Sequence, residues 1–259
     1  MSDLLVEWQD DLLILTLNRA EKLNALTNEM REGLIHALSE QKNEPRARAI
    51  LIRAAGRGFC VGADLQPDKI LSRRETIQQE MEAGINQVVA LMRSVPVPIV
   101  AAVNGPAAGA GFSIALAADV AIANESATFG LAFARIGAVL DGGASYFLSR
   151  TIGAARTRAL AMLGKSISAA EALEMRLIYG VSEDSRLQDD ALALALQLAK
   201  GPTVALGLIK AEVEMAQTAA LDEVLTFEAR CQGKAFKTED FEEGITAFQH
   251  RRPAEFKGR

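Results

Sequence analysis

Residues 94–118 constrain this chain more than any other segment, because they contain no Asp, Glu, Lys or Arg. So long an uncharged run has to leave water, and it is long enough to span a bilayer. Pro96, Pro98, Asn104, Gly105, Pro106, Gly109 and Gly111 interrupt it. A spanning helix would be broken repeatedly there, and irregular backbone in lipid leaves its polar groups unpaired. The run therefore reads as a buried strand at 97–103, a glycine loop at 105–111 and a buried helix to Ala117, with no insertion into a membrane. A strand at 120–123 follows. The same order starts earlier, with a strand at 49–52 and a loop at 54–65 holding Gly56, Gly58 and Gly62. A long helix is expected at 75–92, with Ile77, Met81, Ile85, Val88, Val89 and Met92 roughly on one face. Strand, loop, helix, strand, repeated, is the grammar of an α/β fold with parallel crossovers.

Before this core, apolar runs at 4–8 and 12–17 flank Asp10-Asp11 and read as a hairpin. A polar loop at 18–26 carries Arg19 and Lys22. Thr27 is placed to cap a helix in which Met30, Leu34 and Leu38 recur, and which ends near Pro45. Beyond Gly143 the apolar residues fall in helical patterns punctuated by Gly164, Gly180 and Gly201-Pro202. No low-complexity linker separates the parts, so residues 1–195 are expected to form the core and 196–259 a helical extension of it.

Charge and composition exclude several classes. The 259 residues carry 28 basic and 33 acidic side chains, a net −5, which opposes a phosphate-neutralising nucleic-acid surface. Two cysteines, Cys60 and Cys231, cannot build a disulfide scaffold. With two histidines, His36 and His250, no metal site is expected. Asp3, Glu7, Asp10 and Asp11 oppose a signal or transit peptide, and a cytoplasmic location is expected.

Several motif fragments fail on their own terms. Gly164-Lys165-Ser166 lacks the leading glycine of a phosphate-binding loop, because Ala159 stands there, and it follows an expected helix. Gly56-Arg57-Gly58 meets Val61 where a dinucleotide fingerprint needs glycine. Gly111-Phe112-Ser113-Ile114-Ala115 misses the last glycine of a serine elbow. Cys60 reads as a small core residue and His36 as a surface or boundary residue.

Two glycine loops remain, Phe59-Cys60-Val61-Gly62-Ala63-Asp64-Leu65 and Asn104-Gly105-Pro106-Ala107-Ala108-Gly109-Ala110-Gly111. Each follows a buried strand. The small side chains of Ala63 and Ala110 leave their N–H groups open, and a helix start behind the second loop adds its positive end. Two N–H groups converging on one oxygen form an oxyanion hole. Turning the chain and permitting close packing explain the same glycines, and spacing alone does not decide between the two.

FCVGADL, PIVAAVNGPAAGAGFSIALAADVAIA and ATFGLAFARIGAVLDGGASYFLSRTIG, in that order, resemble the enoyl-CoA hydratase/isomerase (crotonase) superfamily. The resemblance runs from the hairpin to EGITAFQHRRPAEFKG. It implies a core of repeated ββα units with a helical C-terminal part that builds a homotrimer or a hexamer. It also implies an acyl-coenzyme A thioester as substrate and no further cofactor. The family's oxyanion-hole positions fall on Ala63 and Ala110. Substrate contacts are implied at Arg19, Lys22, Leu23 and Ala25, at Asp64 and Leu65, at Gly109 and Phe133, and at Phe248 and Arg251. Surface Lys and Arg are also commonly no more than solvated charge.

The two glutamates with which a typical hydratase of this family activates water fall on Ser113 and Phe133, so both carboxylates are absent. Adding water needs a base on the water and a proton for the neighbouring carbon. One acid remains, in Leu140-Asp141-Gly142-Gly143. FGLAFARIG followed by Asp-Gly-Gly-x-Ser-Tyr-Phe-Leu resembles the 1,2-epoxyphenylacetyl-CoA isomerase type, although that type's usual proline is Leu140 here. One carboxylate suffices to move a proton between two carbons. Burial among Phe129, Phe133, Ile136, Val139 and Leu140 is expected to raise its pKa. Capping the next helix is the alternative role for Asp141. The resemblance thus favours an acyl-CoA isomerase that shifts a double bond or rearranges an epoxide through an enolate. Hydration with a non-standard acid/base, or an inactive acyl-CoA-binding member, are the other readings.

Overall fold

The computed structural model describes residues 2–259, the side chains of Pro67 and Lys69 excepted. Strands β1 (Leu4–Gln9) and β2 (Leu12–Leu17) pair antiparallel, with Leu4 opposite Leu17, and Asp10 turns the chain with φ 51°. Helix α1 (Asn28–Asn43) starts where Thr27 accepts the Met30 N–H and returns the chain to β3 (Ala49–Ala54), parallel to β2. Three helices follow: α2 (Pro67–Ser72), α3 (Ile77–Ala83) and α4 (Ile85–Ser94). The charge-free run then supplies β4 (Ile99–Val103), β5 (Ala107–Ala108) and α5 (Ala110–Ala117). After it come β6 (Val120–Asn124), β7 (Thr128–Gly130), α6 (Ala144–Thr151), α7 (Gly153–Leu163), β8 (Ser166–Ser168) and α8 (Ala169–Glu174). The chain ends with β9 (Gly180–Ser182), α9 (Leu187–Ala199), α10 (Thr203–Ala216), α11 (Leu221–Ala235) and α12 (Glu239–His250).

The main sheet runs β1-β2-β3-β4-β6-β9, and every pair after the first hairpin is parallel. A second sheet, β5-β7-β8, collects the short strands that follow β4 and β6. Bridges from Cys60 to Ala107 and from Ala63 to Leu26 continue the same pattern after β3. This is the expected repetition of ββα units. A parallel sheet needs cover on both faces, and the alternation is visible in β2 and β3. Leu13, Leu15, Leu17, Ile50 and Ile52 enter one core, while Leu12, Ile14, Ala49 and Leu51 enter the other. Helix α9 closes the second core through Leu187, Ala191, Ala195 and Ala199. The boundary drawn at 195/196 falls inside this helix, whose buried stripe continues to Ala199.

Lys210 fastens the helical part to the core. Its Nζ, buried on α10, donates to the Met92 and Val97 carbonyls and pairs with Asp119 at 2.8 Å. Among the described residues no single helix is long and apolar enough to cross a membrane.

The long helix expected over 75–92 is two helices. Gly84 breaks it with φ −108° and ψ −105°, and a Cβ there would stand 2.7 Å from the Glu80 carbonyl oxygen. Helix α4 buries Ile85, Val88, Val89 and Met92, as the spacing predicts. Ile77 and Met81, on the separate α3, instead line a cavity.

Candidate active site

The glycines bring the two loops into backbone contact. A Cβ on Gly111 would lie 2.1 Å from the Cys60 carbonyl oxygen, and one on Gly105 would lie 2.2 Å from that of Arg57. Gly62, at φ +92°, lies against the other loop, where a Cβ would stand 3.5 Å from the Ala110 nitrogen. Only glycine permits this approach. Among the described residues, neither the Ala63 nor the Ala110 N–H donates to a backbone carbonyl. Both residues line a cavity of about 440 Å³, and Ala110 opens α5. Both N–H groups are therefore left without a backbone acceptor at residues that line the cavity.

Asp141 lines the same cavity. Its position is set through its backbone: its carbonyl accepts the Ser113 hydroxyl at 2.9 Å and the Ala144 N–H at 3.0 Å. Gly142 and Gly143 follow with φ +53° and +79°, two left-handed residues in succession. A Cβ on Gly142 would meet the Ser113 Cβ at 2.8 Å. The Asp-Gly-Gly run is therefore a turn that side-chain-bearing residues would strain and overfill. The carboxylate caps nothing: α6 starts from Gly143 without a side-chain cap. Its Oδ1 is buried and without a hydrogen-bond partner, and burial pushes the carboxyl pKa up to about 6.

The rise is as expected, but its surroundings differ. Ile136 and Val139 are 61% and 83% exposed and bury nothing. They belong to the 3₁₀ turn Ala132–Ile136 and the segment after it, which run over the surface. Ile77, Met81 and Ile85 line the cavity with Asp141 instead. Ser113 stands beneath the Asp141 loop, fully buried. Phe133 lays its ring against Gly109, where a Cβ would be 3.6 Å from Cζ. Cys60 is wholly buried with its thiol pushed up to about 12 by desolvation, which fits a core residue. His36 is exposed beside Glu40 at 3.6 Å.

The remaining expected contacts divide. Asp64 lines the cavity and accepts from Arg19 Nη1 at 2.8 Å. Lys22 is exposed at the end of the 3₁₀ turn Ala20–Lys22, and Leu23 follows it with φ 49°. Ala25 is buried and Leu65 exposed, and neither lines the cavity. Phe248 and Arg251 lie at the end of α12, outside the cavity lining, with Phe248 83% exposed.

Asn24 escaped the sequence reading. It is fully buried, accepts the Arg19 N–H at 2.7 Å, and donates to the carbonyls of Ala55 and Gly58 at 2.8 Å each. One side chain thus ties the Arg19 loop to the first glycine loop. An asparagine amid apolar neighbours in LNAL was its signal, because Asn tolerates the left-handed backbone (φ 55°) found there. Among the described residues no three His, Cys, Asp or Glu side chains cluster as a metal site.

The sequence profile of the enoyl-CoA hydratase/isomerase family matches residues 7–259. The chain is 38% identical over 261 aligned residues to the 1,2-epoxyphenylacetyl-CoA isomerase of Escherichia coli K12, covering 100% of both. It is 31% identical over 263 residues to the short-chain-enoyl-CoA hydratase of Clostridium acetobutylicum, covering 100% of this chain and 99% of that one. Among solved structures, an enoyl-CoA hydratase from Polaromonas sp. JS666 superposes with TM-score 0.92 at 32% identity, covering 98% of this chain and 99% of the other. By the full-length profile match, the shared fold and these identities, the chain belongs to the enoyl-CoA hydratase/isomerase family.

Proposed function

We propose that this protein is an acyl-CoA isomerase in which Asp141 carries a proton between two carbons of the acyl group. The observation that carries this reading is the Asp141 carboxylate in the cavity, with one oxygen buried and unpartnered, while Ser113 and Phe133 occupy the positions of the hydratase glutamates. The Ala63 and Ala110 N–H groups hold the thioester oxygen. Asp141 takes a proton from the α carbon of a 3-enoyl thioester, and the electron pair moves onto that oxygen. The dienolate then takes a proton from Asp141 at the γ carbon, after exchange of that proton with solvent in part of the turnovers, leaving a 2-enoyl thioester and an ionised Asp141. Each N–H donor contributes on the order of 3 kcal/mol to the enolate-like transition state. Rearrangement of an epoxide beside the thioester draws on the same enolate stabilisation. Coenzyme A is bound as part of the substrate, near Arg19, Lys22 and Leu23, with Phe248 and Arg251 reaching it from a neighbouring subunit.

In heavy water the enzyme should convert a 3-enoyl-CoA to its 2-enoyl isomer with deuterium entering the α or γ carbon. Because the base must be ionised, kcat/KM should rise tenfold per pH unit below about 6 and level off above it. Rapid hydration of crotonyl-CoA, with no double-bond shift, would instead support a hydratase using Asp141 alone. No deuterium exchange with any enoyl-CoA would support an inactive binder.

We also propose a cytoplasmic homotrimer or hexamer. Ile209, Val213, Leu221, Leu225, Phe236 and Phe248 on and between α10–α12 leave large apolar surface exposed. Patches of this kind mark subunit interfaces. Light scattering at micromolar concentration should give three or six chain masses, and a monomer would overturn the assembly.

A further inference from the structure

The cavity carries more charge than a double-bond shift requires. Arg31 on α1 and Arg73 after α2 both line it, and both are half-buried. Arg73 is paired with Glu80. Arg31 makes no ion pair among the described residues, and its guanidinium meets only the side-chain oxygen of Asn28. Burial and the neighbouring Arg73 hold Arg31 below the ordinary arginine range, against the opposing pull of Glu32. The other acids in the cavity do not relieve it. Asp64 pairs with Arg19, Asp3 accepts the Thr27 hydroxyl, Glu29 accepts the Ser2 hydroxyl, Glu80 is held by Arg73, and Asp141 stands at the reacting end.

Arg31 lies a short way from Asp141 along one wall. A Cβ on Gly84 would touch Arg31 Cδ and Nε at 3.2 Å. The next residue, Ile85, approaches Gly142, where a Cβ would meet its Cγ1 at 3.2 Å, and Gly142 adjoins Asp141. Asp141, the apolar Ile85, Met81 and Ile77, which suit methylene groups, and the Arg31 guanidinium thus line one cavity.

We propose that Arg31, with Arg73 beside it, receives a carboxylate at the far end of the acyl chain, so that the preferred substrates are coenzyme A thioesters of dicarboxylic acids. The inference rests on the acyl-CoA reading of the site. A guanidinium fork matches a carboxylate through two parallel hydrogen bonds, and incoming negative charge relieves the repulsion between the two arginines.

Saturated thioesters test this without turnover. Adipoyl-CoA and suberoyl-CoA, their ω-methyl esters and hexanoyl-CoA would be titrated calorimetrically into the full-length protein and into Arg31→Met and Arg31→Lys. At one of the two chain lengths the free acid should bind ~10–100-fold tighter than its ester, the range for a hydrogen-bonded charge. Arg31→Met should bring that ratio close to one, and Arg31→Lys should keep part of it. Equal affinity for acids and esters in the parent protein, or a ratio that Arg31→Met leaves unchanged, overturns the proposal while acyl-CoA binding stands. Failure of every thioester to bind removes the acyl-CoA reading and this proposal together.

Discussion

Asp141→Asn should lower isomerisation of a 3-enoyl-CoA by ~10²–10⁴-fold, the usual contribution of a positioned base. The amide keeps the shape of the side chain and leaves the backbone bonds from Ser113 and Ala144 in place, so the loop stays where it is. KM should change little, because the lost group acts in the transition state rather than in uniform binding. The same substitution should raise stability at neutral pH. Folding lifts the carboxyl from its ordinary 3.8 to about 6, so the folded protein binds that proton more tightly than the unfolded chain. Its contribution is full below about 3.8, declines as pH rises through about 6, and above that leaves an unfavourable buried charge. The penalty is up to ~3 kcal/mol at pH 7. Parent and variant should therefore melt alike near pH 3.5, with the variant melting several degrees higher at pH 7. An Asn variant that isomerises at the parent rate removes Asp141 from the mechanism. One that is no more stable than the parent at pH 7 shows that the carboxylate is solvated.

Gly111→Ala should disable the site from behind. The added Cβ would fall 2.1 Å from the Cys60 carbonyl oxygen, which is backbone and cannot rotate away. The first turn of α5 must then move off the first glycine loop, taking the Ala110 N–H away from that of Ala63. Loss of one oxyanion donor costs on the order of 10²–10³ in kcat. Overpacking of this kind costs about 1–3 kcal/mol, which lowers Tm by a few degrees in a chain of this size. The readout is kcat below the melting transition. Gly137→Ala makes the contrasting control: nothing stands within 4 Å of a Cβ there, and the φ of +72° adds strain without a clash. A Gly111→Ala variant with parental kcat and Tm would mean that the loops do not meet as described.

Much of this was legible because it depends on short-range physics. Thr27 caps α1 as its spacing predicts, since a hydroxyl and an amide three residues apart meet wherever a helix begins. The ββα repetition follows from apolar runs and glycine loops in a fixed order. The break at Gly84 was hidden, because helical spacing continues across it unbroken. The Glu80 carbonyl and Arg31 crowd the Gly84 Cα, and only the fold places them there. The apolar neighbours of Asp141 were misjudged for a related reason. Ile136 and Val139 are adjacent in sequence, but the turn at 132–136 carries them outward, while α3 and α4 bring Ile77, Met81 and Ile85 from far along the chain.

By itself, the sequence determined which segments must be buried, where the backbone needs glycine, and which acid stands in the loop before α6. It also determined the family, because several ordered motifs over the whole chain are specific in a way that one motif is not. The tertiary structure decided what those groups face. Among the described residues, it set an unpartnered carboxylate oxygen in a cavity whose Ala63 and Ala110 N–H groups have no backbone acceptor, and it left Arg31, which lines the same cavity, without an ion pair. Strand and helix preferences act over a few residues and can be read from spacing. Burial and electrostatic pairing depend on which distant segments meet, and the packed sheet and its covering helices settle that only after folding.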